Sequence, residues 1–360
     1  MAYTTIDDPS KHFNTILWTG DGDTASNKTG TGFKPDLTWI KKRTNDAEDH
    51  ALFDSTLGLG GKLRNTNILA AQETAGNNGY ISAFLDDGFS IATNGSDSYK
   101  WAYLNESSDT FVAWNWKANG GTTSSNSDGS ITSTVQVNSD AGFSMGKYTA
   151  TGSNATVGHG LGEAPELIIV NGVATANNWR VGSDGLTDWT YRINLEGTGS
   201  ESSQASVWNS TAPTSTVFSI GTSSSVNDTT GSGEHTFYCF KNKKGFSKSG
   251  TYIGNASEDG PFVYLGFKPA FLLQKRVTNA SGDNWHFYDN KRDTDGNPNT
   301  ALAFNTSAVE ASGNAIDFLS NGFKVRVNNN GTNASGETNL YLAFAENPFV
   351  TSTGVPATAR

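Results

Sequence analysis

The chain has 360 residues, a formal net charge of -10, 40 Gly, 5 His and 1 Cys. That acidity disfavours a protein that tracks nucleic-acid phosphates. No run of about 18 apolar residues is present to cross a membrane as a helix, and a lone cysteine (Cys239) leaves no internal disulfide framework. Only 35% of residues are hydrophobic yet 11% are aromatic, a balance that suits thin sheet-built cores between polar loops and argues against disorder.

The opening MAYTTIDDPSK is read as an N-terminal arm, 1–11, without the basic and then apolar pattern of a secretory signal. A first module, 12–118, runs from ILWTGDG (16–22) through GFKPDLTWIKKR (32–43) to FVAWNWKAN (111–119). Its only helix-like stretch is NILAAQETAG (67–76). Residues 119–141, rich in Gly, Ser, Thr and Asn, read as a linker with one embedded strand. A second module, 142–244, repeats the landmarks as GKYTATG (146–152), GEAPELIIVNG (162–172) and TFYCFKNKK (236–244). A third, 245–350, repeats them as GTYIGN (250–255), GFKPAFLLQKR (266–276) and LYLAFAENP (340–348). The second and third abut without free linker, which predicts a stiffer joint there than between the first two. Residues 351–360 read as a short extended tail.

Period-two alternation dominates, as in Leu340, Leu342 and Phe344 against Tyr341, Ala343 and Ala345. Pro35, Pro165 and Pro269 close the recurring Gly-x-x-Pro phrase and are expected at the first residue of a strand, where no ladder donor is lost. Asp87-Gly88-Phe89 and Asn321-Gly322-Phe323 predict hairpin turns followed by a core aromatic. The fold expected is all-β, three tandem related β-sandwich modules of jelly-roll or lectin-like type, each with a thin aromatic core.

Catalytic patterns are not visible. The histidines (His12, His50, His159, His235, His286) are scattered, His159 reading as a turn histidine that caps a strand. The adjacent acids Asp7-Asp8 and Asp86-Asp87 do not make an opposed carboxylate pair. No cofactor is called for, Ca²⁺ excepted: Asp293, Asp295 and Asn297 alternate like the start of an oxygen-rich cation loop, although Phe304 stands where the closing Glu would. Asp21 and Asp23 form a smaller version that reads as solvated turn acids. Sheets recognise sugars with exposed aromatic rings beside polar groups. On that basis Trp101 and Tyr103, in an insertion of the first module, are carbohydrate-binding candidates, as are Trp179 and Trp285 at matching repeat positions. The matched pair also suits a core role.

The phrases FVAWNWKANGG, TVGHGLGEAPELIIV, WNSTAPTSTVFSIG, DFLSNGFKVR and LAFAENPFV resemble a repeat family of marine bacteriophage virion proteins, from phages of cyanobacteria, pelagic bacteria and roseobacters. The resemblance covers nearly the whole chain and implies a lectin-like β-sandwich scaffold of tail fibre or virion structural type, with no catalytic residue to carry over. It implies a virion location, other tail or capsid proteins as partners, a homo-oligomer, and host surface glycan as a further partner. Nucleic acid and membrane insertion are not expected. A capsid decoration protein of the phage head is the alternative, and a carbohydrate-binding module is compatible with both.

Overall fold

Alternating apolar and polar residues make almost every ordered segment a strand. The computed structural model describes residues 3–356 apart from 24, 46, 61, 74–77, 94–102, 294–297 and 314–315. The first region holds β1 (Phe13–Thr19), β2 (Ala25–Thr29), β3 (Leu37–Lys42), β4 (Ala51–Asp54), β5 (Arg64–Asn65), β6 (Tyr80–Leu85), β7 (Gly88–Ala92) and β8 (Thr110–Trp116). They form a main sheet, β1-β8-β3-β4-β5, and an outer sheet, β2-β7-β6.

The second region holds β9 (Ser124–Asn126), β10 (Ser133–Asn138), β11 (Phe143–Thr149), β12 (Ala155–Gly158), β13 (Leu167–Gly172), β14 (Arg180–Ser183), β15 (Tyr191–Asn194), β16 (Ser202–Ser203), β17 (Val217–Ile220) and β18 (Glu234–Phe240). Its main sheet runs β16-β15-β14-β13-β18-β11-β10-β9, and β12 pairs with β17. The third region holds β19 (Ser247–Ile253), β20 (Phe262–Tyr264), β21 (Phe267–Arg276), β22 (His286–Asp289), β23 (Thr300–Ala303), β24 (Ala311–Ser312), β25 (Ile316–Leu319), β26 (Gly322–Val325) and β27 (Thr338–Pro348). Its main sheet is β19-β27-β21-β22-β23-β24 and its outer sheet β20-β26-β25. The pairings between these strands are antiparallel, and the isolated bridge between Ile131 and Val157 is parallel.

Each main sheet is therefore built in one order: opening strand, closing strand, the strand after Gly-x-x-Pro, then its hairpin partner. The register matches as well. Trp39 lies opposite Trp114, Ile169 opposite Tyr238, and Leu273 opposite Leu342. One face of each main sheet covers its outer sheet over a thin core, with Phe89 and Ile91 in the first, Phe218 and Ile220 in the second, and Phe318 and Phe323 in the third. The other three faces meet in a fourth core, where Phe13, Trp39 and Trp114 pack with Met145, Ile169 and Tyr238 and with Phe271, Leu273 and Phe344. Burying a side chain of this size fully contributes about 1.5–3 kcal/mol, so the shared core ties the three regions into one body.

Several local expectations are corrected. Residues 119–141 are not a linker with a single strand: β9 and β10 both lie in this stretch, and β10 pairs along β11 to extend the second main sheet. Asp36 holds the chain as it leaves β8, accepting from the backbone N–H of Ala118, Gly120 and Gly121. Asn67–Glu73 form no helix; among the described residues the α-helices are α1 (Ala205–Trp208), α2 (Ser224–Asn227) and α3 (Asn330–Asn333), with a 3-10 turn at Pro9–Lys11. Pro35 and Pro165 precede their strands, whereas Pro269 lies inside β21 at a bulge between Lys268 and Phe271, which removes the need for its missing donor. Gly88 and Gly322 are required by crowding, since a Cβ at either would lie 2.0 or 2.1 Å from the carbonyl oxygen of Lys28 or Val263. The C-terminal stretch is not extended as far as it is described. It turns at Thr351–Val355, and Asp7 of the arm accepts from the Ser352 N–H and hydroxyl.

Candidate functional site

The repeated tryptophans are structural. Trp179 and Trp285 are each 1% exposed, inside the shared core, so neither ring offers a face to a sugar. Each stitches neighbouring main sheets: Trp179 Nε1 donates to Asn65 O at 3.2 Å, and Trp285 Nε1 to Asn194 O at 3.0 Å. His50 takes the same position in the first sheet, with Nε2 3.3 Å from Ala303 O. A second set of contacts follows the same rotation. Lys41 Nζ donates to Ser307 O and Glu48 O, and Lys275 Nζ to Thr198 O and Asp283 O. Burial lowers both amines to about 8. In the second sheet this place is Asn171, which accepts from Arg64, whose guanidinium stacks 4.4 Å over Trp179. The second region thus reaches into the first, the first into the third, and the third into the second.

Of the other sugar candidates, Trp101 lies outside the described residues. Tyr103 is half-buried against the first outer core, its hydroxyl raised by burial and by the charges of Asp49, Glu48 and Glu73. In the expected cation loop, Asp293 accepts from Asn299 N, Thr300 N and Thr300 Oγ1, which makes it a loop cap, while Asp295 and Asn297 lie outside the described residues. Asp21 already has a cation from its own chain. The Lys28 ammonium, 3.3 Å away, is also held by Ser26 and Asn105. Burial would raise this carboxyl, but the Asp23 N–H, Asn105, Ser26 and Lys28 bring it to about 2. Among the described residues no group of three or more His, Cys, Asp or Glu side chains converges as a metal site.

The histidines serve the fold. His159 Nε2 donates to Thr214 O while Nδ1 accepts from the Leu161 N–H, and His235 bonds the main chain of Gly233 and Asp228. His12 bonds the Asn138 amide. Burial lowers all five, His286 to about 4. Burial also pushes the Cys239 thiol up, leaving it an inert core group.

What stands out is an outer face. In β20, Val263 points into the core, 8% exposed, so its neighbours point out: Phe262 is 45% exposed and Tyr264 49%. The corresponding residues are Asn27 and Thr29 in the first outer sheet and Thr156 and Gly158 in the second, matched by register to Phe89, Phe218 and Phe323. The fold therefore accepts small polar residues here, and the two rings of the third sheet are an addition. Tyr3 completes the corner. Its hydroxyl lies 3.2 Å from the Tyr264 hydroxyl and donates to Gly266 O at 2.9 Å, and its ring meets Phe349 edge-on at 6.3 Å. Lys244 Nζ sits 4.3 Å over the Tyr3 ring, and Lys248 Nζ lies 5.8 Å from the centre of the Tyr264 ring while donating to Tyr264 O. The sequence signal was Phe-Val-Tyr in alternation, which says that Phe262 and Tyr264 share a face without saying which face is wet.

Residues 8–348 match a family described as a domain of unknown function, DUF7483. The chain belongs to this DUF7483 family. No curated protein and no solved structure matches it. The family match takes in all three main sheets and the shared core apart from Ile6, with Phe262 and Tyr264 inside it and Tyr3 outside.

Proposed function

We propose that this DUF7483 member is a non-enzymatic structural protein on the surface of a bacteriophage particle, tail-associated, bound to other virion proteins and in contact with the host envelope. The observation that carries the contact role is the exposed pair Phe262 and Tyr264, present on one of three equivalent outer faces. The scaffold motifs that resemble virion proteins of marine phages support the location. So does a body whose main sheets are joined by buried polar bonds, which suits a rigid surface component. The test is immunogold labelling of purified particles with antibody to the chain. Gold at the tail is the expected result. Gold spread over the head facets would make it a capsid decoration protein, and particles without label would overturn the virion reading altogether.

A further inference from the structure

We propose that the corner of Tyr3, Phe262 and Tyr264 binds an anionic sugar chain, the rings stacking on sugar faces while Lys244 and Lys248 meet its carboxylates or sulfates. The proposal deepens the host-contact reading and rests on it only for where such a ligand is met.

The charge pattern picks out the ligand class. The run Lys241–Lys248 is basic in a chain of net charge -10. Most lysines around it are neutralised internally: Lys241 pairs with Glu166, Lys243 with Glu163, Lys268 with Glu346 and Lys324 with Asp259. Lys244 and Lys248 are not. Among the described residues neither has a carboxylate partner, and both amines lie over the tyrosine rings of the exposed corner. An ammonium beside a ring, with no counter-charge of its own, suits a ligand that has both a flat apolar face and a negative group. An acidic polysaccharide has both in each repeat.

A protein partner fits less well. The apolar part of this corner is a few rings, whereas a stable protein interface covers about 800 Å² on each side. The charged residues opposite and beside Phe262, namely Lys324, Arg326, Asp259 and Asp317, already bond one another. A sugar chain needs little more than stacking and one or two charged contacts.

The test is affinity electrophoresis of the full chain in gels containing alginate, polygalacturonate, chondroitin sulfate or neutral dextran. At least one anionic polymer is expected to retard the protein, dextran is not, and added NaCl is expected to weaken the retardation. Phe262→Ala/Tyr264→Ala and Lys244→Glu/Lys248→Glu should each weaken binding at least tenfold, while Lys248→Arg should retain it. Circular dichroism and melting should show each variant folded, and Lys244→Glu alone, at an exposed site, covers the case in which the doubles fail to fold. Equal retardation in dextran, retardation by none of the anionic polymers, or folded variants that bind like the wild type would overturn the proposal. So would a dimer dispersed by Phe262→Ala/Tyr264→Ala, which would make this face a contact between copies. Polymer binding without particle labelling would sink the virion reading alone, and tail labelling without polymer binding would sink only this one.

Discussion

The joint between the first and third regions and the joint between the third and second occupy related positions but use different chemistry. At the former, Trp114 Nε1 donates to Asp289 at 3.1 Å, and Asp289 is paired at 2.6 Å with Arg292, both side chains fully buried. Glu310 then links Arg292 to Arg43 of the first region. The second-to-first joint has the same bond in another form, Tyr238 donating to Asp54 at 2.9 Å. At the third-to-second joint the corresponding residues are Leu342 and Ser183, which supply neither the donor nor the carboxylate. An open cleft of about 190 Å³ lies there, lined by Ser183, Asp184, Ser249 and Thr251. Bonds from a ring nitrogen to a backbone carbonyl occur at all three joints, whereas the acid-centred bond occurs at two and is missing from the third-to-second joint. A carbonyl is supplied by any residue in the right strand, whereas a buried carboxylate must find its own partners or cost stability.

The largest effect should come from breaking the acid-centred joint. Arg292→Met leaves Asp289 buried without its cation and should destabilise by about 3–5 kcal/mol, measured by denaturant unfolding. A loss below about 1 kcal/mol would mean that Trp114 and the backbone N–H groups of Lys291 and Arg292 suffice to hold Asp289.

A smaller effect sharpens the comparison at the joint that lacks the bond. Ser183→Asp should cost about 1–3 kcal/mol, because a buried acceptor is introduced without a donor opposite. Leu342→Tyr supplies a hydroxyl at the place of Tyr238, so the double variant should recover at least about 1 kcal/mol relative to the sum of the singles. Strict additivity in that cycle would show that the two joints do not share their geometry.

The joints also differ in their response to pH. Burial holds His50 well below the ordinary histidine value of 6.5, whereas the matching Trp285 cannot titrate. The unfolded chain takes up a proton at this position first as pH falls. The stability that His50 contributes is therefore complete above about pH 6.5 and is lost below it, at about 1.4 kcal/mol per pH unit. His50→Phe should flatten the fall in stability between pH 6.5 and 5 by that slope, while Trp285→Phe should leave the slope unchanged. Thermal melts at several pH values decide it, and parallel curves for wild type and His50→Phe would remove the argument.

Legibility differed by residue. Alternation in Leu340–Ala345 identified the closing strand, and Asp87-Gly88-Phe89 identified a hairpin, because both depend on neighbours in sequence. His159 reads as a turn histidine capping a strand; it is buried directly after β12, held by Thr214 O and the Leu161 N–H, and the chain makes no turn there. The site candidates were harder. The repetition of Trp179 and Trp285 at matching positions favours a core or hinge role over a sugar platform, and the structure places both in the core. The signal that separates the two roles, a carbonyl on the neighbouring main sheet, belongs to residues 114 and 91 positions away.

From its own sequence this protein had its strand-forming alternation, its turn glycines and prolines, its acidity and its lone cysteine, all set by local chemistry and composition. Only the tertiary structure decided which aromatics are dry. Three main sheets close on one another, so their inner faces become a single core and take in the tryptophans that read as candidate binding groups. Among the described residues no further sheet covers the outer sheet of the third region, so Phe262 and Tyr264 stay half-exposed, with Tyr3 and Lys248 beside Tyr264. The same alternation produced both outcomes, and what differs is whether another sheet covers the face.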